Sequence, residues 1–501
     1  MRLCGLLNSA LLSLLLMAAF LLTACSGEPP AKRYKDVGLS TDAVPLIEGG
    51  YYGTLENGLR YYILENKKYH DTAFAYLAVN VGSADEKDTQ LGYANFVRTI
   101  LAESGVNNSS SSLDYTFFDF SAAVYADTDD GIKKVSDIIF TRINSVINAP
   151  SFTNEKTGSA RDKILANIKN TSIETKIDIK KNSFFYAGSI AENRVNVLGQ
   201  SDLIEKARTA DIDRFYRTWY RPDNMAIIFI GDFNGAELEQ SLLTKTKITI
   251  PAGRKPFDRT VYELPVPQKK STIMEVYTDS NAPQTTITFF YKMKQERYKN
   301  NLQGLRTQID EAIITNMLTR RFRAMLSDAE DTIFAQTMNL PKLRKNFPFS
   351  NIGLYHNKVG KASQYFTIRF IPKKDSADLA IITMLHEIKS LVKTGFTDTE
   401  VNRFKNQYLL DLQNAVQHSA EQSEPSYLKQ MLFQNYMHNE CITSVDYQLK
   451  IAEKLIPQIT KEELNKVLRD ALNCGDLRIF ASSKPEDAPK ITLSQIGDML
   501  K

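Results

Sequence analysis

The chain is poor in the residues that usually announce a small secreted scaffold or a metal centre. Among 501 residues there are four cysteines, one tryptophan and five histidines. Cys4 and Cys25 fall in or beside an N-terminal apolar segment, so only Cys441 and Cys474 remain to form a disulfide, and their spacing leaves that pairing open. The histidines, His70, His356, His386, His418 and His438, are scattered. His386-Glu387 begins an HExxH-like string, but Ser390 stands where the second histidine belongs, so a surface pair is expected. His438, Glu440 and Cys441 cluster in sequence, where a zinc site is one reading and a loop the favoured one. A one-sided charge is also missing: 62 Lys and Arg face 58 Asp and Glu, with no concentrated basic tract, which argues against nucleic acid as the main partner. Beyond the N-terminus no apolar run approaches the ~18 residues of a membrane span.

What is present begins with a targeting segment over residues 1–24. Arg2 gives a positive start, Leu6 to Leu22 an apolar core, and Leu22-Thr23-Ala24-Cys25 a bacterial lipobox. An uncleaved anchor is the alternative, but Asn8, Ser9 and Ser13 interrupt the run. Cleavage before Cys25 would leave a lipidated cysteine, and Ser26 after it suggests the outer membrane. Residues 25–48, polar and containing Pro29 and Pro30, read as a tether.

The folded part reads as α+β. Asn57-Gly58 marks a hairpin, and Thr72 to Val81 alternates with Ala75, Leu77, Val79 and Val81 on one face. Leu91, Ala94, Val97, Ile100 and Leu101 recur at helical spacing, with Asp88 or Thr89 as N-cap and Gly105 as stop. Asn95, Arg98 and Thr99 then share one helix face. Asn107 to Ser112 reads as a polar loop with no activating histidine near Ser109, and Tyr115 to Tyr125 as β-rich. Ile132 to Ile147 reads as an amphipathic helix. Phe215 to Tyr220 is a helix stopped by Pro222, followed by the buried strand Ile227-Ile228-Phe229-Ile230, with Trp219 in the core.

An internal repeat organises the chain. The helix Ile132–Ile147 and its sequel Ser151-Phe152-Thr153-Asn154-Glu155 are echoed by Leu379–Val392 and Gly395-Phe396-Thr397-Asp398-Thr399-Glu400. Thr209 to Phe215 with its strand is echoed by Thr460 to Lys466 with Leu477 to Ala481. Two tandem domains are expected, at 49–250 and 272–490, joined by a linker at 251–271.

Leu55 to Leu64, then Val79 to Glu86, then Gly92 to Thr99 together resemble the start of the insulinase/pitrilysin (M16) zinc-peptidase family, which leads into an inverted His-x-x-Glu-His zinc motif. Phe215 to Asp232 is similar to another signature of that family. The resemblance implies tandem M16 domains, each an antiparallel-rich sheet packed with helices. It also puts the first zinc histidine on Asn95, the general-base glutamate on Arg98 and the second histidine on Thr99. The third ligand, a glutamate in the run Ala160 to Ile168, falls on Asn167, and the acid preceding it on Ala160. Zinc hydrolysis needs about three protein ligands, a bound water and a nearby carboxylate. A guanidinium about 4 Å from a dication is repelled by roughly 8 kcal/mol at an effective dielectric of 20. That is comparable with the roughly 10–16 kcal/mol a structural zinc site gains.

No catalytic residue and no metal ligand is therefore expected, and no cofactor, although active family members hold zinc. In the second half Met317 to Leu326 keeps a family helix, while the peptide-gripping Arg and Tyr positions fall on Ser327 and near Ile333 or Phe334. Arg320, Arg321 and Arg323 read as a solvated helix face or a site for an acidic partner. The expectation is an inactive M16 homologue, lipid-anchored through Cys25 to the bacterial cell envelope at the outer membrane. It would serve an active M16 peptidase subunit or relative as subunit or scaffold, and meet peptides through exposed sheet edges. Two rivals stand beside it: a metallopeptidase using an unrecognised site, and a stand-alone peptide-binding envelope lipoprotein.

Overall fold

The computed structural model describes residues 44–47, 49–69, 71–123, 129–148, 151–246, 272–294, 300–326, 347–359, 363–418, 424–472 and 477–500. The targeting segment, Cys25, nearly all of the tether, His70, the linker at 251–271, Cys474, Ser327, Ile333 and Phe334 lie outside these residues. Cys441 is buried, and burial pushes its thiol up to about 11.

Two sheets form the frame. The first comprises β1 (Gly50–Thr54), β2 (Arg60–Glu65), β3 (Thr72–Val79), β4 (Asn108–Ser111), β5 (Thr116–Asp119), β6 (Ala122–Ala123) and β7 (Met225–Gly231). Its order is β1-β2-β7-β3-β5-β4, with the short β6 beside β3. The second contains β8 (Ile273–Thr278), β9 (Thr286–Lys294), β10 (Phe349–Val359), β11 (Ser363–Pro372) and β12 (Leu477–Ser483), in the order β10-β11-β9-β12-β8.

The two orders superimpose, β2-β7-β3-β5-β4 on β8-β12-β9-β11-β10. In each, the last strand of its half is inserted between two earlier strands, β7 between β2 and β3 and β12 between β8 and β9, parallel to one neighbour and antiparallel to the other. β7 and β12 are buried along their whole length, which is why Met225 to Gly231 reads as a continuous apolar run rather than an alternation.

The helices of the first half are α1 (Tyr93–Leu101), α2 (Asp129–Ile147), α3 (Asn154–Lys169), α4 (Ile173–Tyr186), α5 (Ser201–Lys206), α6 (Thr209–Trp219) and α7 (Gly235–Lys245). Those of the second are α8 (Leu302–Arg323), α9 (Ala377–Thr394), α10 (Asp398–Gln417), α11 (Pro425–His438), α12 (Val445–Leu455), α13 (Lys461–Leu472) and α14 (Leu493–Leu500). The echoed segments are α2–α3 against α9–α10, and α6–β7 against α13–β12. Even the capping repeats: Thr153 accepts from the Lys156 N–H and Thr397 from the Glu400 N–H. Trp219 is 4% exposed, inside the first core with Phe215, Tyr216 and Tyr220.

A sheet that is apolar on both faces needs cover on both. The first sheet takes its own α1, α2 and α6 on one face. Its other face is covered by the second half, through Leu428, Leu432, Phe433 and Met437 of α11 against Tyr62, Tyr76, Ala226, Ile228 and Ile230. The exchange is reciprocal. The end of α4 puts Phe184, Phe185 and Tyr186 against Phe290 and Phe480 of the second sheet. Arg478 of β12, 1% exposed, donates to the carbonyls of Phe184 at 2.7 Å, Phe185 at 2.9 Å and Ala187 at 3.2 Å. Residues from 42 onward consequently form one compact unit.

One expectation is corrected. Asn107 to Ser112 reads as a loop, but 108–111 form β4, the strand at the end of the first sheet, paired antiparallel with β5 from Asn108↔Asp119 to Ser111↔Thr116. Backbone pairing with β5 and an outer position, where one side meets no further strand among the described residues, make strand structure compatible with serine.

Candidate functional site

Helix α1 begins later than its apolar pattern suggests. Neither Asp88 nor Thr89 caps it; the N-cap is Gly92, at φ +103°. A Cβ there would stand 2.8 Å from the Gly199 Cα and 3.0 Å from the Leu198 carbonyl oxygen, so both the backbone conformation and the close chain crossing call for glycine. The first-turn donors go instead to the buried Glu86 carboxyl, which accepts from the Gly92 and Ala94 N–H groups, both at 2.7 Å. Burial pushes Glu86 up to about 8, against the pull of those two hydrogen bonds.

Seen from this cap, one turn later, Asn95, Arg98 and Thr99 do share one face. Arg98 folds onto it. Its Nε and Nη2 donate to Asn95 Oδ1 at 3.0 and 2.9 Å, and Nη2 also donates to Thr99 Oγ1 at 3.0 Å. Nη1 donates to Ser109 Oγ on β4 at 3.0 Å. Thr99 Oγ1 in turn donates to the Asn95 carbonyl at 2.7 Å, a back-bond within the helix. Asn95 and Thr99 are 4% and 9% exposed, whereas Arg98 is half-buried. Burial lowers the affinity of the Arg98 guanidinium for its proton, and every hydrogen-bond acceptor it meets among the described residues is neutral.

Asn167 is placed differently. It lies on α3, one turn beyond the buried Ile164, is exposed, and shares no hydrogen bond with the α1 residues. Ala160, at the position of the other acid, is fully buried in the core. Residues 95 and 99 are thus bridged by a cation, and the space between them is filled by its guanidinium.

These residues do not fit a zinc ion. An amide, a hydroxyl and a guanidinium supply neither imidazole nor carboxylate, and Arg98 already takes up the Asn95 and Thr99 oxygens as acceptors. No group of three or more His, Cys, Asp or Glu side chains that could hold a metal occurs among the described residues, the neighbourhood of His438, Glu440 and Cys441 included.

Two contributors escaped the pattern reading. Ser109 sits in a run of serines whose inward and outward members look alike. Glu86 lies far enough upstream of the helix that a local capping search passes it by, although it ends the stretch Val79 to Glu86 that carries the family resemblance.

Residues 207–408 match the family model "Peptidase M16 inactive domain". The chain is 21% identical over 468 residues to "Probable zinc protease PqqL" of Haemophilus influenzae, covering 89% of this chain and 47% of that protein. It is 21% identical over 439 residues to the protein of the same name from Escherichia coli, covering 84% and 45%. The chain therefore spans about half the length of these curated relatives. Among solved structures, the first half of the periplasmic protease PqqL from Escherichia coli matches with a TM-score of 0.77 and 20% identity, over 92% of this chain and 97% of that one. The two-sheet α+β architecture, the family model matched over residues 207–408 and relatives aligned along most of the chain agree: the chain is a homologue of the M16 peptidases.

Proposed function

We propose that this chain is a catalytically inactive M16 homologue of the bacterial envelope that acts as the non-catalytic subunit or scaffold of an M16 peptidase. The observation that carries this reading is the guanidinium of Arg98, hydrogen-bonded between the side chains at 95 and 99, where active relatives would place a metal and its base. A protein with that cation in place has no route to a metal-bound hydroxide. The rest of the fold is kept, which suits a role in shape and contact rather than chemistry.

Peptide contact is expected along β4. It ends the first sheet, has an outer edge that pairs with no strand among the described residues, and carries Ser109 next to Arg98. The relatives extend over about as many residues again as they share with this chain, and an active M16 half is the partner this reading calls for. The name of the Escherichia coli relative places that protein in the periplasm. An envelope location with Cys25 as the lipidated residue accords with it.

Native mass spectrometry of the protein extracted gently from its own membrane tests the proposal. The expected result is an unequal complex in which a second chain carries zinc and this one carries none. Stoichiometric zinc on this chain would overturn it.

A further inference from the structure

We propose that the α1 face bearing Asn95 and Arg98 is a carboxylate site, which takes a carboxylate of an extended peptide lying on β4. The inference rests on the reading that this edge still receives peptides. Two independent observations lead to it.

The first is charge. Arg98 is half-buried, and its partners Asn95, Thr99 and Ser109 are all uncharged. A guanidinium has five N–H donors in a planar fork suited to a carboxylate. Four hydrogen bonds leave Arg98 one N–H, on Nη1, with no acceptor among the described residues.

The second is an orphaned donor group. Asn95 is 4% exposed; its Oδ1 holds Arg98, but its buried Nδ2 has no hydrogen-bond partner among the described residues. Buried amide donors are nearly always satisfied. The face thus has donors and positive charge in excess, and it lacks an acceptor carrying negative charge. A peptide amide carbonyl would answer the donors but not the charge; a carboxylate answers both.

Position adds the last step. Ser109, which holds Nη1, is on the edge strand itself, so a chain paired with β4 passes beside the guanidinium. The carboxylate would be the C-terminus of that peptide or an acidic side chain within it.

The test uses the full chain, immobilised, and a degenerate pool of N-acetylated ten-residue peptides made in two forms, free acid and carboxamide, with retained peptides read by mass spectrometry. Peptides that carry a carboxylate, as free C-terminus or as Asp or Glu, are expected to be enriched at least tenfold over those with none, with the ratio falling to parity on Arg98→Met. Arg98→Lys, which keeps the charge without the fork, should lie between, and it carries the test if Arg98→Met does not fold. Amidated peptides retained through Arg98 and rich in Asp or Glu would assign the side-chain source; free acids retained without such enrichment would assign the C-terminus. Peptides retained equally in both forms without enrichment in Asp or Glu, or retention indifferent to Arg98, would overturn the carboxylate site while leaving peptide binding intact. Retention of no peptide at all would overturn both.

Discussion

The helix that follows the antiparallel neighbour of the inserted strand, β7 or β12, carries a buried or half-buried arginine in both halves, and the two are satisfied in opposite ways. On α8, Arg306 is 1% exposed and pairs through Nε with both oxygens of Asp310, itself 1% exposed, at 3.1 Å. It also reaches Glu463 of α13 at 3.2 Å. On α1, Arg98 reaches only neutral acceptors among the described residues. The difference separates an arginine that closes a core from one whose charge is left over for something else. Burying a guanidinium is tolerable when a carboxylate is buried with it, and costly otherwise.

The comparison is broken most forcefully by taking the acid from the paired arginine. Asp310→Ala takes the buried carboxylate away from Arg306 in the core, and should cost about 3 kcal/mol. Urea unfolding would show it as a lower midpoint at unchanged slope. A loss below about 1 kcal/mol would mean that the α8 pair is no more structural than Arg98.

The two helices also start differently. Asn301, a neutral cap, accepts from the Gly304 N–H at 3.0 Å on α8, whereas α1 relies on the buried Glu86. Glu86→Ala leaves two first-turn donors without their acceptor and should cost about 2 kcal/mol. The caps also differ in pH response. Folding raises Glu86 from its ordinary 4.5 to about 8, so between those values the folded chain holds a proton that the unfolded chain has released. Stability from this group therefore falls as pH rises across that window, by at most about 1.4 kcal/mol per pH unit, and is level outside it. Chemical denaturation from pH 5 to 8 should show this slope flattened in Glu86→Gln; an unchanged slope would remove Glu86 from the account.

How far all this could be read in advance depends on the range of the interaction. The repeat was legible, because α2–α3 and α9–α10 share a helix, a Phe-Thr turn and a capping threonine, and because β7 is apolar throughout. The α1 face was legible too, since Asn95, Arg98 and Thr99 follow from helical spacing alone. Strand β4 was not: its serines give no alternation, and only pairing with β5 makes it a strand. Nor was the exchange of α4 and α11 between the sheets, because Phe433 gives no sign from its neighbours that it will meet Tyr115 and Phe117, more than 300 residues away. Local propensity also says nothing about whether Arg98 swings outward or lies down between 95 and 99. That is decided by Ser109, on a strand that itself had to be found.

Giving Arg98 what Arg306 already has should sharpen the contrast. Ser109→Asp places a carboxylate where the Nη1 donor already points, and for a half-buried pair should stabilise by about 0.5–1 kcal/mol. The same variant should lose its preference for free-acid peptides, because the leftover charge is now answered from within. Stabilisation with the preference retained would show that Arg98 and the peptide carboxylate do not meet.

The smallest expected effect is the response to metal. A site that binds zinc only in the folded state stabilises it by about 2.7 kcal/mol when free zinc is 100 times the dissociation constant. For a unit of this length, with unfolding entropy near 2 cal/mol/K per residue, that is a rise of roughly 3 °C in Tm. An α1 face filled by a guanidinium should give no such rise, and a chelator should take nothing away, so Tm with added zinc and with EDTA should agree to within about 0.5 °C. The null result gains force from a paired variant. Asn95→His with Arg98→Glu and Thr99→His replaces the cation by a carboxylate and the two neutral side chains by imidazoles. It should shift upward in zinc and not in EDTA, because the helix geometry that aligns 95, 98 and 99 is already in place. If the unaltered chain responds to zinc as strongly as that variant does, the metal is bound elsewhere, and the charge left over at Arg98 is not what distinguishes this half of the molecule from the other.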